Sequence, residues 1–333
     1  MCGNETVVFE SPEAVIVEQR NVPVPDPNEV LVESRRTLVS TGTELTILSG
    51  DFPEGSRWDH YEYPFVPGYN NVGVVVETGN DVVDIETGQR VATLGSHAQY
   101  VTASPEGCRP IPDDVSDDAA VFFTIAEIVM NGVRRGEVTW GESAVVFGLG
   151  LLGQLAVRVC QLAGAQPVVG VEPSAPRLDR LPDSPTVAAV DPTAETAEDS
   201  VARLTDNRMA DVAFEVTGNP DVIPEEFDVL REQGRLVLLS SPRGTTEFNF
   251  HDDCNAPSHT IIGAHNSSHP SVATSANPWT NHRHCELFFS AVADGTISVA
   301  DLVSHRIEVA DVPAMYDKLL ADRSEAMGVV IKW

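Results

Sequence analysis

Three glycines, Gly148, Gly150 and Gly153, stand at GxGxxG spacing between a short apolar run, 144–147, and a segment in which Leu152, Leu155, Ala156, Val159 and Leu162 recur at intervals of three and four. The run reads as a buried strand and the segment as a helix with one apolar face, so the glycines form the turn from strand to helix. Each has a mechanical role there: Gly148 turns the chain sharply, Gly150 offers bare backbone to a ligand, and Gly153 lets helix and strand approach. A helix that begins at such a turn points its first N–H groups at a phosphate. A second strand follows Pro167 and ends before Glu172, an acid placed to accept hydrogen bonds from both hydroxyls of an adenosine ribose. Gly148, Leu149, Gly150, Leu151, Leu152, Gly153 and Glu172 are therefore expected to hold a dinucleotide. Arg177 could pair with a 2'-phosphate, but Glu172 would repel that group, so NAD is the expected cofactor and NADP the alternative.

The elements around this turn must position it. From 119 to 264 helices alternate with apolar strands, including 187–190, 212–216, 236–240 and 260–263, which is the pattern of a doubly wound parallel sheet. Thr217 and Gly218 follow the fourth strand, Ser240 and Ser241 the fifth, and His265 the last, all at the carboxyl edge where such sheets bind cofactors. From 6 to 101 the chain instead reads as short strands, 15–17, 29–35, 72–77 and 89–92, broken by Pro, Gly and Asn-Asp turns. A polar, histidine-bearing loop follows Ala264, then a helix over 284–293 and strands at 307–309 and 329–331 that are expected to return to the first region. The expected fold class is α/β: a Rossmann domain, 125–265, inserted in an irregular β-rich catalytic domain built from 1–124 and 266–333. The cleft between two such domains is the default site.

Composition narrows the class further. The chain has 333 residues, 42% of them hydrophobic, enough for two cores. Its formal net charge is -29, from 50 acidic and 21 basic residues, and Lys318 and Lys332 are the only lysines. A dispersed acidic excess with almost no lysine suits a protein kept hydrated in molar salt, where charge repulsion is screened, and points to the cytoplasm of a halophile. The same charge argues against a nucleic-acid partner or an anionic membrane, and no apolar stretch reaches spanning length. The N-terminal residues carry neither a basic region nor an apolar core for export. Five cysteines, Cys2, Cys108, Cys160, Cys254 and Cys285, include no CxxC pair, so neither a disulfide framework nor a zinc knuckle is indicated.

The motifs Glu29-Val30-Leu31-Val32, Thr41-Gly42-Thr43-Glu44, Pro67-Gly68-Tyr69 with Gly73, Gly88-Gln89-Arg90-Val91 and the turn at Gly148 occur in an order that resembles the medium-chain dehydrogenase/reductase superfamily over essentially the whole chain. The resemblance implies a GroES-like catalytic domain, a small-molecule alcohol or carbonyl substrate, a homodimer or homotetramer, and contact between the backbone near His265 and the nicotinamide carboxamide. It also shows a departure. The positions of the three catalytic zinc ligands read Thr41, Tyr69 and Thr124, none a thiolate, imidazole or carboxylate, and the four-cysteine structural lobe is missing. No zinc is expected, and the chain is similar to a zinc-free branch that includes bacteriochlorophyllide a dehydrogenase-like proteins, which act on a secondary alcohol.

Without a Lewis acid another group must protonate the developing oxyanion. Thr43 occupies the position of the family's hydroxyl relay, and Tyr69 brings a phenol close to the reaction centre that the resemblance implies, so both are candidate proton donors, against packing under the cofactor as the plainer reading of Tyr69. Glu44 and Asn70 could orient a substrate hydroxyl, against simple turn chemistry. His282, His284 and Cys285, or His265 and His269, have a loose metal-ligand spacing that in a polar loop is more often solvated. The expected activity is hydride transfer between NAD(H) and a secondary alcohol or ketone. The alternatives are a quinone or enoyl reductase of the same superfamily, and a non-catalytic NAD(P)H-binding protein.

Overall fold

In a computed structural model, which describes residues 3–333, the apolar runs of the sequence become the strands of two large sheets and one hairpin. The hairpin comes first, with β1 (Asn4–Ser11) antiparallel to β2 (Ala14–Arg20). Then come β3 (Val30–Val39), β4 (Asn71–Thr78), β5 (Arg90–Thr93), β6 (Tyr100–Ala103) and β7 (Arg109–Pro110). The next six strands are β8 (Ala144–Phe147), β9 (Val168–Val171), β10 (Val187–Val190), β11 (Ala210–Glu215), β12 (Leu230–Leu238) and β13 (Thr260–Gly263). Finally, β14 (Val303–Glu308) and β15 (Gly328–Lys332) follow near the C-terminus.

The chain divides into two units, one formed by the segment up to Thr124 with Cys285–Trp333 and the other by Ile125–His284. In the first, the strand order is β14-β15-β3-β4-β5-β7, with β6 also on β3. β15 runs antiparallel to β3, so the end of the chain completes the sheet that its beginning starts. Val7, Phe9, Val39, Leu48, Tyr316 and Ile331 share one core, and Val30, Val32, Val75, Val91 and Val101 share another. Between β3 and β4 the chain makes the helix Thr43–Ser49, whose residues from Glu44 to Leu48 are buried. Gly50 ends it at φ +67, a left-handed conformation that suits glycine, and returns its N–H to the Ile47 carbonyl at 3.2 Å.

The second unit is a six-stranded sheet in the order β10-β9-β8-β11-β12-β13, with every pairing parallel. Counted from its own first strand this is the Rossmann order 3-2-1-4-5-6, which reverses direction between β8 and β11 and leaves a crevice at their carboxyl ends. Val145, Phe147, Val169, Val171, Phe227 and Leu236 fill its core.

Several boundaries differ from the sequence reading, two of them by six residues or more. β12 starts at Leu230, not at 236, because the chain kinks at Gln233, with φ +60, and resumes pairing with β11 after a register shift. Residues 266–284 stay with the parallel-sheet unit instead of leaving it after His265. The Asn131 amide donates to Ser268 Oγ at 2.8 Å, Asn281 to Glu127 Oε2 at 3.1 Å, and Arg134 Nε–H to His284 Nε2 at 3.1 Å, and these polar ties hold the loop. Among the described residues no helix is long and apolar enough to cross a membrane. Cys108, Cys160, Cys254 and Cys285 form no disulfide; Cys2 lies outside the described residues.

Candidate functional site

In the parallel-sheet unit the glycine turn has the geometry that its spacing predicts. Gly148 adopts φ +87 and donates its N–H to the Val171 carbonyl at 2.9 Å, and a Cβ there would lie 3.0 Å from the Thr217 Cα. At Gly153 a Cβ would sit 1.8 Å from the Gly148 carbonyl oxygen, so only glycine fits. Gly150 differs: a Cβ would meet nothing within 4 Å, and as the N-cap of the helix Leu151–Leu162 it supplies no side-chain cap. The first turn of that helix thus faces open space with uncapped N–H groups, a cradle that fits the pyrophosphate of a dinucleotide. Leu149 and Leu151 are buried and Leu152 half-buried, so these side chains anchor the turn.

Glu172 is buried at the end of β9. Its Oε2 accepts the Leu149 N–H at 2.8 Å and its Oε1 the Ser174 N–H at 3.2 Å, while Arg177 reaches Oε2 at 3.4 Å. The acid and the arginine that were set against each other as cofactor selectors are therefore an ion pair.

At the carboxyl end of β11, Glu215 gathers three of the predicted residues. Its Oε1 accepts the N–H groups of Thr217 and Gly218 at 2.7 and 2.8 Å and the Thr217 hydroxyl at 2.7 Å, and its Oε2 accepts the Ser240 hydroxyl. The sequence reading overlooked Glu215; an acid inside the apolar run of β11 was the available signal. Ser241 is exposed and does not join this cluster. His265 is exposed too, and its Nδ1 accepts the Ser267 N–H at 3.2 Å, so the ring caps the short turn Asn266–Ser268. His269 and His284 are hydrogen-bonded to each other, yet among the described residues no group of three or more His, Cys, Asp or Glu could hold a metal ion.

The first unit brings together the hydroxyl candidates. β3 delivers Ser40, the helix after it begins at Thr43, and the chain entering β4 delivers Tyr69. The Tyr69 hydroxyl is hydrogen-bonded to Ser40 Oγ and lies 3.5 Å from Thr43 Oγ1. Ser40, also overlooked, is buried. Gly68, at φ +103, sets the approach of Tyr69; a Cβ there would lie 2.6 Å from the His97 backbone nitrogen. Burial pushes the phenol above its ordinary pKa, the Ser40 and Thr43 hydrogen bonds pull it down, and the charges of Glu44 and Tyr61 add to the rise. Thr124 Oγ1 donates to the Tyr69 carbonyl at 3.2 Å, so two of the three zinc-ligand positions are bonded to each other through hydroxyl and backbone.

Glu44 and Asn70 turn inward. Glu44 is 1% exposed, and both its oxygens accept protein donors: Ser40 N–H at 2.8 Å on Oε1, and His97 Nε2–H at 3.0 Å with the Tyr316 hydroxyl on Oε2. Asn70 is fully buried and donates Nδ2–H to the Leu38 carbonyl at 3.3 Å. Neither side chain is open to a substrate: both Glu44 oxygens are taken by protein donors, and the Asn70 side chain is enclosed, its Oδ1 without a partner.

Residues 26–113 match the family model of the alcohol dehydrogenase GroES-like domain, and residues 152–280 match that of the zinc-binding dehydrogenase. The chain belongs to the medium-chain dehydrogenase/reductase superfamily. Among relatives of this oxidoreductase, D-guloside 3-dehydrogenase of Escherichia coli is 27% identical over 84% of the chain and 80% of its own length. L-galactonate-5-dehydrogenase of the same organism is 21% identical over 99% of each. A zinc-binding dehydrogenase from Sinorhizobium meliloti, solved bound to NADP, shares its fold, with a TM-score of 0.85 at 21% identity over the full length of both chains.

Proposed function

We propose that this oxidoreductase uses NAD(H) to interconvert a secondary alcohol and its ketone, with Tyr69 as proton donor and no catalytic zinc. The bonding of the Tyr69 hydroxyl to Ser40, with Thr43 in reach, carries the reading: a phenol kept protonated by burial can give its proton to a forming alkoxide and refill it from a neighbouring hydroxyl. The hydroxyls of Thr41, Tyr69 and Thr124 are a poor donor set for zinc, which takes thiolate, imidazole or carboxylate. A nicotinamide dinucleotide, when bound, supplies or accepts the hydride. The uncapped helix at Gly150 would take its pyrophosphate and Glu172 its adenosine ribose, with NAD preferred over NADP because the carboxylate repels a 2'-phosphate. The relatives are named for dehydrogenation at carbon 3 of a guloside and carbon 5 of galactonate, which directs the substrate screen to secondary alcohols of polyols.

The test combines metal analysis, NADH and NADPH titration, and an assay panel of secondary alcohols, ketones and enones, run in molar KCl because a net charge of -29 needs screening. Turnover of alcohols by protein without stoichiometric zinc, lost by about a hundredfold or more in Tyr69→Phe, is the expected result. Turnover of enones alone would replace alcohol chemistry with C=C reduction, one bound zinc per chain would overturn the metal-free mechanism, and tight NADH binding with no turnover would leave a cofactor-binding protein.

A further inference from the structure

We infer that Glu44, held by His97 and Tyr316, is the positioning residue of the Ser40, Thr43 and Tyr69 hydroxyls, closing the turn that carries two of them and placing a buried negative charge beside the third. This rests on the reading of Tyr69 as proton donor and adds what sets its geometry and protonation.

Ser40 N–H donates to Glu44 Oε1 at 2.8 Å, and Glu44 N–H returns to the Ser40 carbonyl at 2.9 Å. The two bonds tie residues 40–44 into a ring, and that ring presents both Ser40 Oγ and Thr43 Oγ1 to a single phenol. The other carboxylate oxygen is fixed from outside the turn. His97, which is fully buried, donates from Nε2, and Tyr316 donates from the helix Val312–Ala321, its own ring packed edge-on against Phe9 at 5.2 Å between centroids. Three donors on one buried carboxylate, two of them from distant parts of the chain, make its position expensive to change, because a charge withdrawn from water depends on such partners.

An apolar side chain would fill this space without three polar partners, so packing alone does not explain an acid here. The groups facing the Tyr69 phenol are the hydroxyls of Ser40 and Thr43, the carboxylate of Glu44 and the phenol of Tyr61. The two hydroxyls favour the phenolate. Glu44 opposes it, and a negative charge in a site of low polarity acts over a longer reach than it would in water. The turn therefore supplies hydroxyls that can exchange a proton with Tyr69, together with a charge that adds to burial in keeping the proton on the phenol between turnovers.

The test is an ultraviolet tyrosinate titration of the full-length protein, in which subtraction of the matching Tyr69→Phe variant isolates the Tyr69 step. Glu44→Gln keeps the shape of the side chain and removes its charge, so the step moves to lower pH. Tyr316→Phe removes one donor from the carboxylate, leaves the charge less compensated, and moves the step to higher pH. A merely structural Glu44 lowers stability and moves neither; an unmoved step in folded Glu44→Gln overturns the inference. If Glu44→Gln does not fold, Tyr316→Phe decides: an upward step supports the inference, and an unchanged or lowered one overturns it. Full turnover by Tyr69→Phe would refute the proton-donor reading alone, since the titration needs no substrate.

Discussion

The Glu172 carboxylate accepts the Leu149 N–H at 2.8 Å, so the acid at the end of β9 is bonded directly into the glycine turn that follows β8. A residue read from the sequence as a ribose acceptor thus fixes the backbone of the glycine turn. It holds a second N–H, from Ser174, and the Arg177 guanidinium, and is almost wholly buried.

Glu172→Ala removes the acceptor from two backbone donors and releases Arg177. Stability is expected to fall by about 1–3 kcal/mol, the cost of leaving such groups unsatisfied. NADH affinity falls, and the ratio of NADPH to NADH affinity rises about tenfold or more, equivalent to about 1.4 kcal/mol, as repulsion of a 2'-phosphate disappears. Fluorescence titration with both dinucleotides checks this; an unchanged ratio would show that Glu172 serves the turn alone.

Two glycines of the same turn should separate folding from binding. Gly153→Ala forces a Cβ to 1.8 Å from the Gly148 oxygen and is expected to cost about 1–3 kcal/mol by overpacking, with loss of cofactor binding. Gly150→Ala meets no protein atom within 4 Å and should leave stability within about 0.5 kcal/mol of the parent, yet weaken NADH binding because the methyl group enters the space left for phosphate. Thermal unfolding with and without NADH distinguishes the two variants.

What was legible in the sequence follows from range. The cofactor turn is a local device, with strand, glycines, helix and acid all inside residues 141–172, and its chemistry could be read from spacing. The parallel, doubly wound character of the second sheet followed from alternation of elements. Ser40 was missed because its role arises from a contact that no local pattern records, with Tyr69 29 positions away; Glu215 offered a local signal, an acid in the apolar run of β11 two residues before Thr217, that went unread. Glu44 itself lay in the right motif but was assigned to the substrate, since a one-dimensional reading cannot show that a carboxylate's oxygens are already occupied. The loop 266–284 was placed in the wrong unit for a similar reason, its polar composition hiding hydrogen bonds to Glu127, Asn131 and Arg134.

Glu226 makes stability fall as pH rises. It is fully buried on the helix Ile223–Asp228, neither oxygen has a hydrogen-bond partner, and burial, then the charges of Glu215 and Glu225, push its carboxyl up from 4.5 to about 9. The folded protein keeps a proton that the unfolded chain releases, so stability declines as pH rises from 4.5 to about 9. Glu226→Met should remove that decline and stabilise the protein at about pH 8 by about 1–3 kcal/mol. Unfolding curves at several pH values check the slope; parallel curves for parent and variant would show that Glu226 ionises without cost.

His284 gives the opposite dependence on the acid side. Its Nε2 accepts from Arg134 Nε–H at 3.1 Å; the ring proton therefore sits on Nδ1 and is donated to His269 Nε2 at 2.9 Å, and His269 in turn donates from Nδ1 to the Asn266 carbonyl at 2.7 Å. A second proton on His284 would break the bond to Arg134. Burial, then His269, Arg134 and Arg283, lower its pKa from 6.5 to about 3. The unfolded chain takes up a proton near 6.5 that the folded protein refuses, so this group's contribution to stability shrinks as pH falls from 6.5 toward 3. His284→Gln has no such proton to refuse. It should be less stable than the parent near neutrality, through loss of the relay from Arg134 to Asn266, and the difference should narrow steadily in acid. Thermal unfolding of both proteins from about pH 7 to about pH 4 measures that difference, and a constant gap would mean that His284 becomes charged in place.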